Sequence, residues 1–282
     1  MATKHFPSLD ELAIVETRDA LHAYSRILGA WLKSCRPKRK HWWHASLRPS
    51  LNGLTTGVIN GGIDFEIELD LRNNQLLIRT ATGESHREAL AGQPAGELAD
   101  IVADFLSARG IDDTDGTRAG GGSEQSKRFD AYSTEQAHRI ARALADVAAI
   151  LKQFRAGIRE QCSPVQLWPH HFDLSMLWLP GETVAGQDPA DEESADKQMN
   201  FGFTLGDEGI TEPYFYVTAY PLPESLPKLP LAVGTTWRCE PFDGAVLLYR
   251  SLADMSDPSD YLLNLYTRLL SAGREQMLER TA

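Results

Sequence analysis

The sequence predicts an α+β fold in which antiparallel sheets are flanked by about four main helices. Segments with apolar residues at helical spacing alternate with groups of short strand-like segments, and Asn and Gly dipeptides separate several of these strands. Such dipeptides favour tight turns because both residues tolerate positive φ, so neighbouring strands are expected to be antiparallel. With 282 residues, 42% of them hydrophobic, the chain can bury a large core in one domain or in two packed halves.

Four segments of the chain predict helices. Ser8 and Glu11 have the spacing of a capping box, and Ser133 and Gln136 form a second such pair. Apolar residues then recur every three or four positions, which is typical of a helix with one buried face. The predicted helices cover residues 8–35, 94–109, 133–159 and the stretch from 257 onward.

The strand-like segments alternate apolar and polar residues, as in a sheet with one buried face. In IDFEIELDL, for example, Phe65, Ile67 and Leu69 would point to one side of the sheet and the acidic residues to the other. The predicted strands of the first half are 42–49, 54–59, 63–71 and 75–81, and those of the second half are PVQLW, HFDLSMLWL, QMNFGFTL, PYFYVTAYP and GAVLLYRSL.

The two halves of the chain, residues 1–111 and 131–282, both follow the order helix, strands, helix. We interpret residues 1–282 as a single compact domain and take pseudo-duplication of its halves as a hypothesis, which different strand orders would dismiss. Residues 112–130 are polar and glycine-rich with almost nothing to bury. They are predicted to be a flexible polar linker.

Composition narrows the classes of protein. A formal net charge of −11 argues against nucleic acid or membrane as the main partner, because both favour a cationic surface. No signal-peptide run and no stretch of eighteen apolar residues occurs, so a cytoplasmic protein is predicted. The three cysteines are widely separated and suggest neither a disulfide framework nor a zinc site. Nucleotide, zinc-protease and EF-hand motifs are absent from the sequence, so no cofactor and no metal is predicted.

The segment KHWWHASLRPSLNGLTTG at residues 40–57 is the most informative part of the chain. If residues 42–49 form a strand, then Trp42, His44, Ser46 and Arg48 share one face. An arginine beside a histidine and a serine suits a carboxylate or phosphate, although an ion pair of Arg48 with Glu66 or Glu68 explains it equally well. The basic run RPKRK at residues 36–40 is interpreted as a solvated connector.

Two further strands carry polar faces. In HFDLSMLWL the residues His171, Asp173 and Ser175 share a face, and in PYFYVTAYP the face holds Tyr214, Tyr216, Thr218 and Tyr220. Phenol rings together with Trp42 and Trp168 suit the stacking of a planar or sugar-like ligand, but half-buried sheets are also rich in such residues for packing reasons. The pair His41 and His44 would lie on opposite faces of a strand, which disfavours a shared metal ion.

Five stretches of the chain resemble a bacterial family catalogued as domain of unknown function 5996. They are LHAYSRILGAWL at 21–32, HWWHASLRPSLNGLTTG at 41–57, FEIELDL at 65–71, SPVQLWPHHFDLS at 163–175 and FYVTAYP at 215–221. The resemblance spans nearly the whole chain and implies no reaction. In the related pattern the position of Gln166 is commonly histidine and those of His170 and His171 are commonly other residues, which argues against a shared histidine ligand set.

The leading hypothesis is a cytosolic protein that binds a small polar or anionic molecule in a cleft. If the site is catalytic, His44 is the candidate general acid or base, Asp173 its carboxylate partner and Arg48 the group that holds substrate charge. The alternative is a non-enzymatic protein-interaction or self-association module that uses the tyrosine-rich face, which leaves homo-oligomer formation open. The residues predicted to line the cleft are Trp42, His44, Arg48, Asp173, Tyr216 and Tyr220.

Overall fold

The computed structural model describes residues 6–112, 125–191 and 193–278. The chain consists of two compact units, and the division falls within a helix instead of at residues 112–130. Residues 113–124 of that predicted linker lie outside the described residues. The N-terminal unit comprises Leu12–Ala145 and Gln166–Phe172, and the C-terminal unit comprises residues 6–11, Asp146–Val165 and residues 173–278.

All four predicted helices are present, with ends within a few residues of their predicted positions. A further short helix follows the last strand, where the sequence suggested that GAVLLYRSL was a strand throughout. The helices are α1 (Glu11–Cys35), α2 (Ala95–Ser107), α3 (Thr134–Ala156), α4 (Tyr249–Ala253) and α5 (Pro258–Met277).

The N-terminal unit contains an antiparallel meander whose strands pair in chain order. Its inner face carries the alternating apolar residues of IDFEIELDL, and Trp31 of α1 packs edge-on against Phe65 with ring centroids 5.8 Å apart. The last strand was missed by the sequence because SHREA has no apolar face. The strands are β1 (Arg48–Pro49), β2 (Gly53–Thr55), β3 (Phe65–Asp70), β4 (Gln75–Thr80) and β5 (Ser85–Ala89).

The turn between β3 and β4 is closed by Asp70. Its carboxylate accepts hydrogen bonds from the backbone and side-chain nitrogens of Asn73 at 3.0 and 2.7 Å and from Gln75 at 3.0 Å. Asn74 takes the left-handed conformation with φ of 54°, which Asn tolerates better than most residues. Burial alone would raise the pKa of Asp70, but these hydrogen bonds outweigh burial and lower it.

The described end of residues 112–130 packs against the start of α2. The backbone nitrogen of Phe129 donates to the carbonyl of Gly92 at 2.8 Å, and the Phe129 ring is only 1% exposed. Gly92 has φ of 75° and its Cα faces the Phe129 carbonyl so closely that a side chain would not fit. This end of the segment therefore contains a buried aromatic residue, which the polar sequence around it did not indicate.

The remaining strands are β6 (Gln161–Cys162), β7 (Gln166–Trp168), β8 (Asp173–Leu179), β9 (Gln198–Thr204), β10 (Tyr214–Tyr220), β11 (Thr235–Arg238) and β12 (Gly244–Leu248). All of them except β7, which belongs to the N-terminal unit, form an antiparallel sheet of the C-terminal unit in the order β11-β12-β10-β9-β8-β6. Since β12 lies between β10 and β11, this sheet does not follow chain order as the first one does. The two strand orders differ, so the hypothesis of pseudo-duplicated halves was wrong.

One face of the C-terminal sheet is covered by aromatic packing against helices. Phe201 of β9 lies 4.9 Å from the ring of Phe154 in α3 and 5.4 Å from that of Tyr266 in α5. Phe203 and Phe215 pack against each other at 5.0 Å on the same face. The opposite face carries the polar residues and tyrosines at alternate positions, as period-two alternation requires.

Gly202 of β9 makes room for a tyrosine ring on that opposite face. It is paired with Ser175 on one side and Tyr216 on the other, and the Tyr216 ring lies across the glycine where a Cβ would overlap it. A glycine in a strand interior commonly marks such a close approach.

We predict that Gly202→Ala destabilises the protein by about 1–3 kcal/mol, because the added methyl forces the buried Tyr216 ring to move. Gly62→Ala is the matched control, since nothing lies within 4 Å of its Cβ position, and it should change stability by less than about 0.5 kcal/mol. The measurement is urea unfolding. Equal midpoints for the two variants would contradict the packing described for Tyr216.

Candidate functional site

The six residues predicted to line the cleft divide between the two units. Trp42, His44 and Arg48 belong to the N-terminal unit, and the other three, Asp173, Tyr216 and Tyr220, belong to the C-terminal unit. Each set lies within its own unit.

The strand predicted at residues 42–49 begins only at Arg48, and the prediction for its first part was wrong. Residues Lys40–Ala45 form a 3₁₀ turn in which His41 and Trp42 have φ of 54° and 52°. Within this turn the rings of Trp42 and His44 stack with their centroids 5.8 Å apart. Positive φ at two successive bulky residues is a strained conformation that propensities do not anticipate.

His44 is buried and held in one protonation form. Its Nδ1 accepts a hydrogen bond from the backbone nitrogen of Arg39 at 3.1 Å, so the neutral ring carries its proton on Nε2. Burial lowers the pKa of His44, and the nearby Lys33 and Lys38 lower it further. In this form the side chain can donate a hydrogen bond from Nε2 but cannot accept a proton without losing the bond to Arg39.

Arg48 lies in a short antiparallel arrangement built from residues far apart in the chain. The backbones of Leu47 and Leu167 exchange hydrogen bonds of 2.9 and 3.0 Å, which sets β7 beside the start of β1. Both leucines are fully buried. Their polar neighbours Ser46, Arg48 and Gln166 are consequently brought together, and the prediction that Ser46 and Arg48 share a face is consistent with this arrangement.

These three polar side chains form a tight cluster. Nη1 of Arg48 donates to Oε1 of Gln166 at 2.6 Å and to Oγ of Ser46 at 3.0 Å, and Ser46 is 2.8 Å from the same Gln166 oxygen. The Arg48 donor at that atom fixes the amide orientation, because the flipped amide would set a donor against the guanidinium. The Gln166 side chain is completely buried, yet its Nε2 has no hydrogen-bond partner among the described residues.

The cluster has more donors than acceptors. A guanidinium has five N–H donors, and both bonds that Arg48 makes come from Nη1. Its Nη2 and Nε groups, which together form the edge that binds carboxylates and phosphates in bidentate fashion, have no acceptor in the described part of the chain. Gln166 Nε2 adds further unmatched donors.

The acidic residues that might have neutralised Arg48 are bound elsewhere. Nη2 of Arg79 contacts Glu66 at 2.8 Å and Glu68 at 3.0 Å. Thr55 and Ser50 also donate to these two carboxylates, each at 2.6 Å. The ion pair of Arg48 with Glu66 or Glu68 that the sequence allowed therefore does not form, and no salt bridge to Arg48 occurs among the described residues.

Arg36 is a second partly buried arginine beside this cluster. Its Nη2 donates to the carbonyls of Thr56 at 2.8 Å and Val58 at 3.1 Å, and the described residues include no carboxylate bound to it. Thr55 pairs with Arg48 in the β1–β2 ladder, and Arg36 binds the carbonyl of the next residue, Thr56. Residues 37–40 of the basic run are exposed, in agreement with the predicted solvated connector, whereas Arg36 at its start is partly buried.

In the C-terminal unit, Asp173 accepts a hydrogen bond from the hydroxyl of Tyr216, and both side chains are buried. Burial raises the pKa of Tyr216 well above its usual value, and the Asp173 carboxylate raises it further. The phenol therefore remains a donor at any physiological pH. The amide nitrogen of Asn200 is 3.4 Å from the same hydroxyl.

The other tyrosines on this strand have separate partners. Tyr214 is buried and donates to Asp207 in the loop after β9. Tyr220 is partly exposed and accepts one hydrogen bond of 3.3 Å from Gln187. The rings of Tyr214 and Phe242 stack at 6.1 Å, so this part of the sheet face is covered by packing.

A histidine cluster lies at the other end of β7 in the N-terminal unit. The rings of His170 and His171 are 4.5 Å apart, and His22 of α1 stacks on Phe172 at 5.5 Å. Burial lowers the pKa of His22 to about 4, with a smaller effect of Arg26, and contacts with the backbone of residues 169 and 170 offset only part of this. In the described ranges no group of three or more His, Cys, Asp or Glu residues is placed to hold a metal ion.

The N-terminal unit also contains a cavity of about 380 Å³ between the β1–β2 turn and α3. Three basic residues line it, Arg72, His138 and Arg142, and no acidic residue does. It provides a second location at which an anion could bind, distinct from the Arg48 cluster.

Sequence reasoning missed one member of the Arg48 cluster, Gln166, and the adjacent Arg36. Gln166 is a single polar residue between Val165 and Leu167 in an apolar segment, which is a signal that a buried amide needs a specific partner. That partner is 118 residues away in the sequence. Arg36 was not singled out because a proline and three basic residues follow it directly, so it was treated as part of one basic run.

These features define an α+β protein with a donor-rich, partly buried arginine cluster in one unit and a buried carboxylate–phenol pair in the other. The chain belongs to the family of unknown function DUF5996, whose model matches residues 6–277. No curated protein and no solved structure matches the chain. None of the helices in the described residues is both long enough and apolar enough to cross a membrane.

We predict that Tyr216→Phe destabilises the protein by about 1–3 kcal/mol, because the buried Asp173 loses its phenolic donor while the ring volume is retained. Tyr220→Phe is the control, since its hydroxyl makes one long bond at a partly exposed position, and its effect should be below about 0.5 kcal/mol. Denaturant unfolding of both variants provides the test. Similar stabilities would show that the Asp173–Tyr216 bond contributes little.

We also predict that His22 makes folding stability fall as the pH is lowered from about 6.5 to about 4. The unfolded chain protonates His22 near its usual pKa of about 6.5, whereas the folded protein resists protonation until about pH 4. The unfolded state thus binds the extra proton in this window, and up to about 3 kcal/mol of stability is lost.

His22→Gln removes this titration. As the pH falls through this window, the unfolding free energy of wild type should decrease by about 1–3 kcal/mol more than that of His22→Gln. Titration of the carboxylates, which both proteins share, affects the two unfolding free energies equally and drops out of the comparison. Urea unfolding at several pH values measures it. A difference that stays constant with pH would contradict the buried, neutral state of His22.

Proposed function

We propose that the protein binds a small anion, presented as a carboxylate or phosphate group, at the Nε–Nη2 edge of Arg48. One observation carries this proposal. Arg48 is a partly buried cation that has no acidic partner among the described residues, although two acidic residues of the same unit are paired with Arg79. A buried charge is normally paired, so the missing counter-charge is the feature that a ligand would supply.

The geometry of the cluster supports an anion over a neutral ligand. Burial lowers the pKa of Arg48, and the nearby Arg36 lowers it further, so the guanidinium lies in surroundings that disfavour its charge. An anion would reverse this effect. The bonds from Nη1 to Ser46 and Gln166 hold the guanidinium in one orientation before a ligand arrives, which reduces the entropy lost on binding.

The hydrogen bond of His44 fits a neutral donor and not a catalytic base. Its Nδ1 is occupied by the backbone of Arg39, which leaves Nε2–H to donate. The alternative of a protein-docking face on β10 receives no support from the burial of its tyrosines, because Tyr214 is 3% exposed and Tyr216 is 9% exposed.

The test is a thermal-shift screen against small carboxylates and phosphates, each paired with an uncharged amide or alcohol analogue. A ligand present at about 100 times its Kd stabilises the folded state by about 2.7 kcal/mol. We expect such a shift in wild type for the anions only, and no shift in Arg48→Ala. Arg48→Lys should bind the anions at least about tenfold more weakly, because lysine keeps the charge but lacks the bidentate guanidinium.

Arg72→Ala is the matched control. Arg72 lies in the same unit and lines the basic cavity, so its variant should bind anions as wild type does. Loss of the shift in Arg72→Ala with retention in Arg48→Ala would place the anion in the cavity and overturn the proposal. An unchanged shift in both variants would overturn it as well.

A further inference from the structure

We propose that the ligand of this site is a dianion, a phosphomonoester-type phosphate or a dicarboxylate, held by Arg36 together with Arg48. This inference rests on the proposed function and names the class of ligand that the same site takes. It is drawn from two guanidinium groups that share one edge of the first sheet, neither of which has an acidic partner in the described residues.

Two adjacent residues at the end of β2, Thr55 and Thr56, position the two arginines. Arg48 pairs with Thr55 across the β1–β2 ladder, and Arg36 donates to the carbonyl of the next residue, Thr56. Thr56 is itself buried and its backbone nitrogen donates to Ile67 at 3.0 Å, which fixes this strand end to β3. Arg36 thus reaches the strand end from the C-terminus of α1, where its own backbone nitrogen bonds Leu32.

Each arginine has N–H groups that make no hydrogen bond to the described residues. Arg36 makes its two bonds from Nη2 alone, as Arg48 makes both of its bonds from Nη1. The acceptors of Arg36 are neutral carbonyls, which hold the side chain in place without cancelling its charge. Burial lowers the pKa of Arg36, and proximity of Arg36 contributes to the lowered pKa of Arg48, as expected for two cations without counter-charge.

Charge balance then determines the class of ligand. A monoanion would neutralise one guanidinium and leave the other partly buried and unpaired, whereas a dianion would neutralise both. Phosphate and carboxylate oxygens accept the parallel N–H bonds that a guanidinium offers. The nearest acidic residues across the β1–β2–β3 ladder, Glu66 and Glu68, are bound to Arg79, so they do not compete with the ligand for the arginines.

The experiment is titration calorimetry of the full-length protein at about pH 7.5 with two pairs of probes of fixed charge. Inorganic phosphate is compared with dimethyl phosphate, and succinate with succinamate. In each pair the first member is mainly a dianion and the second a monoanion. We expect wild type to bind the dianion of at least one pair about tenfold or more tightly than its monoanion, and the pair that responds distinguishes phosphate from dicarboxylate.

Three variants separate this inference from the proposed function. Arg48→Ala should lose binding of every probe. Arg36→Gln should retain monoanion binding and lose the preference for the dianion, and Arg36→Lys should keep part of that preference because the charge remains. Far-UV circular dichroism and the melting temperature check that each variant is folded, and the comparison of probes on wild type needs no variant.

Equal affinity of wild type for both members of each pair would overturn the dianion inference. A preference that survives in folded Arg36→Gln would overturn it too. In both cases, binding that still depends on Arg48 would leave the proposed anion site intact. Failure of wild type to bind any of the four probes would overturn both proposals.

Discussion

The backbone pairing of Leu47 with Leu167 is the contact on which the arginine cluster depends. Burial of these two leucines holds β7 against the start of β1, and it forces Gln166 to face Arg48 and Ser46. Buried amides and guanidinium groups need partners. Here they satisfy each other only in part, since the glutamine nitrogen and one edge of the arginine remain without acceptors among the described residues. A hydrophobic contact therefore creates a polar site that is incomplete on its own.

The acidic residues of the first sheet are bound to side chains other than Arg48, so they do not complete the arginine cluster. Cross-strand register sets Arg79 opposite Glu66, and the same guanidinium also reaches Glu68. Ser50 and Thr55 complete the coordination of these carboxylates. These carboxylates are bound to other side chains, and among the described residues no carboxylate binds Arg48 or Arg36, in a protein whose formal net charge is −11. Local positive charge in an acidic protein points to a specific ligand more than to general electrostatic attraction.

The sequence predicted elements whose signals are local. The four long helices and strands such as Phe65–Asp70 follow directly from apolar periodicity, because each repeats a simple spacing over many residues. The turn at Lys40–Ala45 and the polar strand Ser85–Ala89 were missed, because one contains two bulky residues with positive φ and the other has no apolar face. The site was predictable only in part. Arg48 and Ser46 could be placed on one face, but their partner Gln166 is determined by long-range packing that no local pattern encodes.

The most direct test of the account is to observe the Arg48 side chain itself by nuclear magnetic resonance. In a protein labelled with nitrogen-15, the Nε–H signal of Arg48 can be assigned by its absence from Arg48→Lys, and phosphate can then be added stepwise. The account predicts that the Arg48 signal shifts and saturates while that of Arg79, already bound to two carboxylates, stays in place. An Arg48 signal that remains unchanged when phosphate and, in a second titration, succinate are added would contradict the claim that this guanidinium binds an anion.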